Sequence, residues 1–228
     1  MKSLIVLISL FQGLFLYAQK ENQSLSFHFS WAEQSLVVDS TYDLPSQEDH
    51  ITIEVVKLYI SDVQFFKEGK LIHSLSKKYL LLDLEEPASL SVPIYSDASL
   101  EADKICFKLG IDSLTSVSGV FGGDLDPTNG MYWTWQSGYI NTKIEGVSAN
   151  CPARHKRFQF HIGGYASPYS TLKHIELALP RLDDVNIEIA LDRFLEQINL
   201  AQTYQVMSPN QEAMKLAQIL PAMFSVVP

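Results

Sequence analysis

Cysteine is scarce in this 228-residue chain, limited to Cys106 and Cys151. Two cysteines without a C-x-x-C pair exclude a cysteine-built zinc site and a dithiol redox motif. They leave either a disulfide, suited to an exported protein, or two small buried thiols. The chain also has no dense Lys/Arg cluster, and its net charge is −9. This argues against nucleic-acid binding. It contains no G-x-S-x-G, H-E-x-x-H or phosphate-loop motif and no visible nucleophile–base pair, so it reads as a binding protein rather than an enzyme. A second long apolar run, an internal repeat and a low-complexity linker are absent as well.

What is present begins with a leader. Lys2 precedes an apolar run from Leu4 to Leu16, and Tyr17-Ala18 leads into polar Gln19-Lys20. This is the layout of a secretory signal peptide over residues 1–18, and the run is too short for a spanning helix. The expected location is therefore the periplasm, the medium or the cell surface, with residues 19–228 as one domain and no stable membrane span. The apolar fraction of 46% suits a globular core.

Period-two alternation dominates the mature chain. Leu25, Phe27, Phe29 and Trp31 alternate with polar residues. Further strands are expected over Ile51–Phe66, Tyr79–Leu84, Ile105–Ile111, Met131–Ile144 and Phe158–Ile162. Leu172–Leu179 and Val185–Leu191 read as a closing pair of strands. Near the C-terminus, Ser208-Pro209 precedes a helix over Gln211–Leu220 that Pro221 ends, with Ser208 as its expected cap. A second short helix is expected over Asp192–Asn199. Many strands with no βαβ rhythm predict an all-β fold, an antiparallel β-sandwich with a short C-terminal helix.

The segment Asp124-Leu125-Asp126-Pro127-Thr128-Asn129-Gly130-Met131-Tyr132-Trp133-Thr134-Trp135-Gln136-Ser137-Gly138-Tyr139 runs on into Lys143-Ile144-Glu145-Gly146. It resembles the LDP-x-NGMYW-x-W-x-SGY signature of the MbnP-like family. Leu58-Tyr59-Ile60-Ser61-Asp62-Val63, Leu109-Gly110-Ile111-Asp112 and Phe160-His161-Ile162-Gly163-Gly164 resemble its other motifs, in the same order. Met207-Ser208-Pro209 and Met223-Phe224 resemble its C-terminal closure. The resemblance covers nearly all of the mature chain. It implies an extracytoplasmic β-sandwich that binds copper. It also implies, as in some members, a tryptophan converted to kynurenine by a partner dihaem peroxidase of the MauG type, with the kynurenine and histidine side chains holding the copper.

On a straight strand, Met131, Trp133 and Trp135 share one face. Two indoles there serve as packing or, given the resemblance, as targets of oxidative ring opening. A kynurenine offers an amine and a ketone to a metal where indole offers neither. Either Trp133 or Trp135 is a candidate, whereas Trp31 belongs to a core face. His28 and His161 stand off the apolar faces of their strands, and imidazole suits copper. The expected metal residues are therefore His28, His161, Trp133 and Trp135. Asp124, Asp126 and Asn129 crowd one loop, where such oxygens either bind calcium or build Asx-turns. The competing reading is a metal-free surface β-sandwich that binds a partner protein or glycan, with the tryptophans as a stacking platform.

Overall fold

The computed structural model describes residues 23–95, 100–135, 138–180 and 184–227. The leader expected over residues 1–18 lies outside them. Fifteen strands are seen among the described residues. They are β1 (Gln23–Trp31), β2 (Gln34–Ser35), β3 (Thr41–Leu44), β4 (Asp49–Lys67), β5 (Lys70–Ser74), β6 (Tyr79–Asp83), β7 (Ser91–Ile94) and β8 (Lys104–Leu109). The short helix α1 (Ser113–Val117) and two 3₁₀ turns follow. Next come β9 (Tyr132–Trp133), β10 (Gly138–Ser148), β11 (Arg157–Gly163), β12 (Lys173–Ala178) and β13 (Val185–Ala190). The chain closes with α2 (Leu191–Leu195), β14 (Gln205–Val206), α3 (Gln211–Ile219) and β15 (Phe224–Val227).

Two sheets form the all-β architecture that the alternation predicts. In the smaller one, β1 pairs in parallel with β13 and antiparallel with β7 and β2, and β15 flanks β13. Leu25, Phe27, Phe29 and Trp31 point inward and are buried. Phe27 meets Phe107 of the larger sheet edge-on at 6.5 Å, and Phe107 meets Phe224 at 5.5 Å. These contacts stitch the sheets through one apolar core, where burial of large aromatic side chains is the main stabilising term.

The 19-residue β4 is the spine of the larger sheet. Its residues 57–61 pair with β6 on one edge, while the other edge pairs with β10 over 51–58 and then with β8 over 60–66. One edge therefore changes partner near Tyr59. Asn141 fills the gap where β10 and β8 part. It lies in a bulge of β10, its Oδ1 accepts from Ile111 N at 2.9 Å, and its Nδ2 donates to Thr171 Oγ1 at 2.9 Å. Gly110 makes room for it, since a Cβ there would lie 2.5 Å from the Asn141 amide carbon.

Three expectations change in detail. β12 and β13 are not a hairpin: β12 pairs with β8 in the larger sheet and β13 with β1 and β15 in the smaller. The chain crosses between layers there. The helix cap is Asn210, whose side chain accepts from Ala213 N at 2.8 Å, with Ser208 and Pro209 before it. The expected helix after Asp192 is one turn, Leu191–Leu195.

The run from Met131 also departs from a single strand. It turns back at Thr134-Trp135, so that β9 pairs with the start of β10, Trp133 opposite Gly138 and Tyr132 opposite Tyr139. The hairpin and the preceding loop form a second apolar cluster on the larger sheet, made of Tyr59, Ile111, Leu125, Met131, Trp133, Tyr139 and Ile140. Two phenols pin it: Tyr59 donates to Asp124 O at 2.8 Å and Tyr139 to Leu125 O at 3.1 Å. Burial pushes the Tyr59 hydroxyl well above the usual phenol range, with the nearby Tyr139 and Asp124 acting in the same direction.

Candidate metal-binding face

β11 alternates cleanly. Phe158, Phe160 and Ile162 face the core, which puts Gln159, His161 and Gly163 on the opposite side. Trp133 covers this side at Gly163. A Cβ on Gly163 would lie 2.8 Å from two carbons of the indole's six-membered ring and 2.6 Å from Tyr139 O. Glycine is thus required here for close approach, not for an unusual backbone angle. Gly163, on which Trp133 packs, stands one same-face position from His161 along β11, a spacing of about 7 Å at the usual rise of a strand.

His161 is 7% exposed. Its Nε2 lies 2.7 Å from Glu145 Oε1. Glu145 stands on the neighbouring strand β10, two residues past Lys143, the residue directly opposite His161. The carboxylate also accepts from Gln159 Nε2 at 3.3 Å, and Lys143 Nζ lies 3.5 Å away. The hydrogen bond from His161 is the chief cause that pushes the Glu145 carboxyl down to about 2; partial burial opposes it, and Gln159 and Lys143 assist. Lys143 reaches further, to Gly130 O at 3.4 Å. A chain of polar contacts therefore links the glycine that precedes Met131 to His161.

The four expected site residues divide. Trp133 and His161 share one face of the larger sheet. Trp135 joins them from the hairpin turn, its ring centroid 6.0 Å from that of Trp133. The two indoles differ in exposure, at 6% for Trp133 and 65% for Trp135. They do not share a strand face, because the chain turns between them. His28 lies apart: it is exposed on β1 in the smaller sheet, opposite Phe27 and Phe29, with Nε2 3.3 Å from Asn186 Oδ1. Glu145 and Lys143 did not figure among the expected site residues. Their signal was the Lys143-Ile144-Glu145 alternation, which places both on one strand face.

The acidic loop serves the fold. Asp124 Oδ2 accepts from Leu81 N at 2.8 Å and pairs with Lys77 at 2.9 Å. Asp126 accepts from Thr128 N at 2.8 Å, and Asn129 Nδ2 donates to Gly123 O and Asp124 O, each at 3.0 Å. This is the Asx-turn use of such residues, and Asp124 caps an N–H on the free edge of β6. Cys106 and Cys151 are free thiols.

Among the described residues, no three His, Cys, Asp or Glu side chains gather as a group able to hold a metal. His161 with Glu145 nonetheless fits half of such a site: a carboxylate fixes one ring nitrogen and leaves the other available. A further donor would have to come from the indole side of the face.

Fold and face together define a two-sheet β-sandwich with an imidazole–carboxylate pair beside two adjacent indoles. The MbnP family model matches residues 20–209, and the chain belongs to the MbnP family. The structure is similar to that of MbnP from Methylosinus trichosporium, with a TM-score of 0.55, 13% identity and 78% of each chain covered. At that identity the likeness is one of fold. No curated protein sequence matches the chain. No helix among the described residues is long and apolar enough to cross a membrane.

Proposed function

We propose that this chain is a non-enzymatic, extracytoplasmic copper-binding protein that captures or stores the metal. Its donors are His161 and a kynurenine formed from Trp133 or Trp135 by a MauG-type dihaem peroxidase. The observation that carries this reading is the packing of Trp133 on Gly163, two residues beyond His161 on the same sheet face. An indole has no lone pair to give a metal, whereas ring opening leaves an aryl amine and a ketone beside an imidazole. Copper accepts nitrogen and oxygen donors of this kind. His28 contributes nothing to this face.

Trp135 keeps the metal-free reading in view, because an indole 65% exposed is also a ready contact for a partner protein or glycan. One experiment separates the two. The protein is treated with the peroxidase and peroxide, peptide-mapped, loaded with copper and dialysed. Loss of one carbon and gain of one oxygen at Trp133 or Trp135, with stoichiometric copper that His161→Ala loses, supports copper capture. An unmodified chain that stays copper-free after loading sinks it and leaves the interaction module.

A further inference from the structure

We propose that Glu145 is the positioning residue of this face: it holds the His161 ring by Nε2, so that Nδ1 is the nitrogen left for a metal. The inference rests on the copper reading above and assigns a role to a residue outside its donor set.

The argument starts from hydrogen-bond capacity. An ionised carboxylate only accepts, so the 2.7 Å contact requires the hydrogen to sit on Nε2. In a neutral imidazole the lone pair is then on Nδ1, and metals bind through such a lone pair. Glu145 is itself fixed from several sides. Oε2 faces Gln159 Nε2 at 3.3 Å and Arg157 Nη1 at 3.9 Å, and Oε1 faces Lys143 Nζ at 3.5 Å. It is 8% exposed, so little water competes for its oxygens. Rotation of the ring about χ2, or transfer of its hydrogen to Nδ1, would leave a buried carboxylate oxygen without its main donor. That loss is costly in a low-dielectric setting. Glu145 thereby selects both the ring orientation and the tautomer. Carboxylates behind histidine ligands act in this manner in metal sites, and their removal lowers metal affinity by about 10- to 100-fold.

The test has two arms. In the first, histidine-labelled wild-type apoprotein is studied by ¹⁵N NMR at a pH where the ring is neutral. His161 is expected as the Nε2–H tautomer, with a mixed population in Glu145→Gln. A wild-type His161 in the Nδ1–H form overturns the inference, and that outcome needs neither copper nor a folded variant. In the second arm, modified protein is titrated with copper and its EPR spectrum recorded. Glu145→Gln is expected to bind about 10- to 100-fold more weakly with an altered nitrogen hyperfine pattern, and Glu145→Asp to recover part of the loss. Wild-type affinity and an unchanged spectrum in Glu145→Gln, alongside lost copper in His161→Ala, overturn the role of Glu145 alone. Wild-type copper binding in His161→Ala overturns the copper reading itself.

Discussion

Trp133 rests on Gly163, and the two belong to different sequence motifs that the fold brings into contact. A methyl group on residue 163 would meet the indole at 2.8 Å and Tyr139 O at 2.6 Å. The ring cannot swing aside freely, because Trp133 is buried and hydrogen-bonded through its backbone to Gly138 in the β9–β10 hairpin. Gly163→Ala is therefore expected to destabilise the protein by about 3 kcal/mol, the upper end of the overpacking range. Urea unfolding measures this. A loss below about 0.5 kcal/mol would show that the hairpin adjusts at no cost and that the face is not rigid.

The two indoles of the hairpin should separate in solution as they do in the fold. Trp31 and Trp133 are buried, at 5% and 6% exposure, whereas Trp135 is 65% exposed. Trp133→Ala is expected to cost about 3–5 kcal/mol, as truncation of a buried aromatic usually does. Trp135→Ala should stay within about 0.5 kcal/mol of wild type. Acrylamide quenching provides the second readout: the readily quenched fluorescence should vanish in Trp135→Phe and persist in Trp31→Phe. Equal quenching in both variants would contradict the hairpin geometry.

Much of this arrangement is legible before folding, and the unreadable parts have a common cause. The inward run Leu25, Phe27, Phe29 and Trp31 announces β1, because period-two burial is a local property. The helix at Gln211 is equally local, although Asn210 caps it in place of Ser208, for both residue types suit that position. Pairing is not local. β12 and β13 are adjacent in sequence yet join different sheets, and no residue between them signals the crossover. The family resemblance, carried by the run from Asp124 to Tyr139, agrees with the match over residues 20–209. Within the candidate face, His161 and Trp133 stand out by type. Gly163 does not, since its role depends on a ring that arrives from thirty positions upstream. Glu145 becomes visible only once the register sets β10 against β11.

The cysteines test the layering of the core. Cys106 sits partly buried on β8, and burial together with Glu176 pushes its thiol up, against the opposing effect of Lys104. Cys151 is fully buried, its Sγ 3.2 Å from Arg157 O. A raised thiol is a slow nucleophile at neutral pH. Ellman's reagent should therefore label Cys106 slowly in the native protein and Cys151 only on unfolding, with an unfolding midpoint indifferent to reductant. A chain with no titratable thiol and a reductant-sensitive midpoint would establish a disulfide instead.

Acid sensitivity should trace in part to Asp112, which ties α1 to the start of β6. Its Oδ1 caps α1 by accepting from Thr115 N at 2.9 Å, and its Oδ2 accepts from Tyr79 Oη at 2.6 Å and Lys78 Nζ at 3.1 Å. Partial burial works to raise the carboxyl, but the hydrogen bonds from Tyr79, Thr115 and Lys78 prevail and hold it well below its ordinary value of 3.8. A carboxylate depressed in the folded state stabilises above its unfolded value, and that contribution fades as the pH falls through the folded one. Asp112→Asn keeps the shape but removes the charge, so a loss of about 2 kcal/mol is expected at pH 7, the usual range for hydrogen bonds to a charged group. The gap between wild type and variant should narrow steadily below about pH 4, where the unfolded wild-type carboxyl begins to take up its proton. Urea unfolding of both proteins from pH 7 down to pH 2.5 measures it. A gap that stays constant over that span would mean that Asp112 acts through shape alone and that its charge contributes nothing to the tie between β6 and α1.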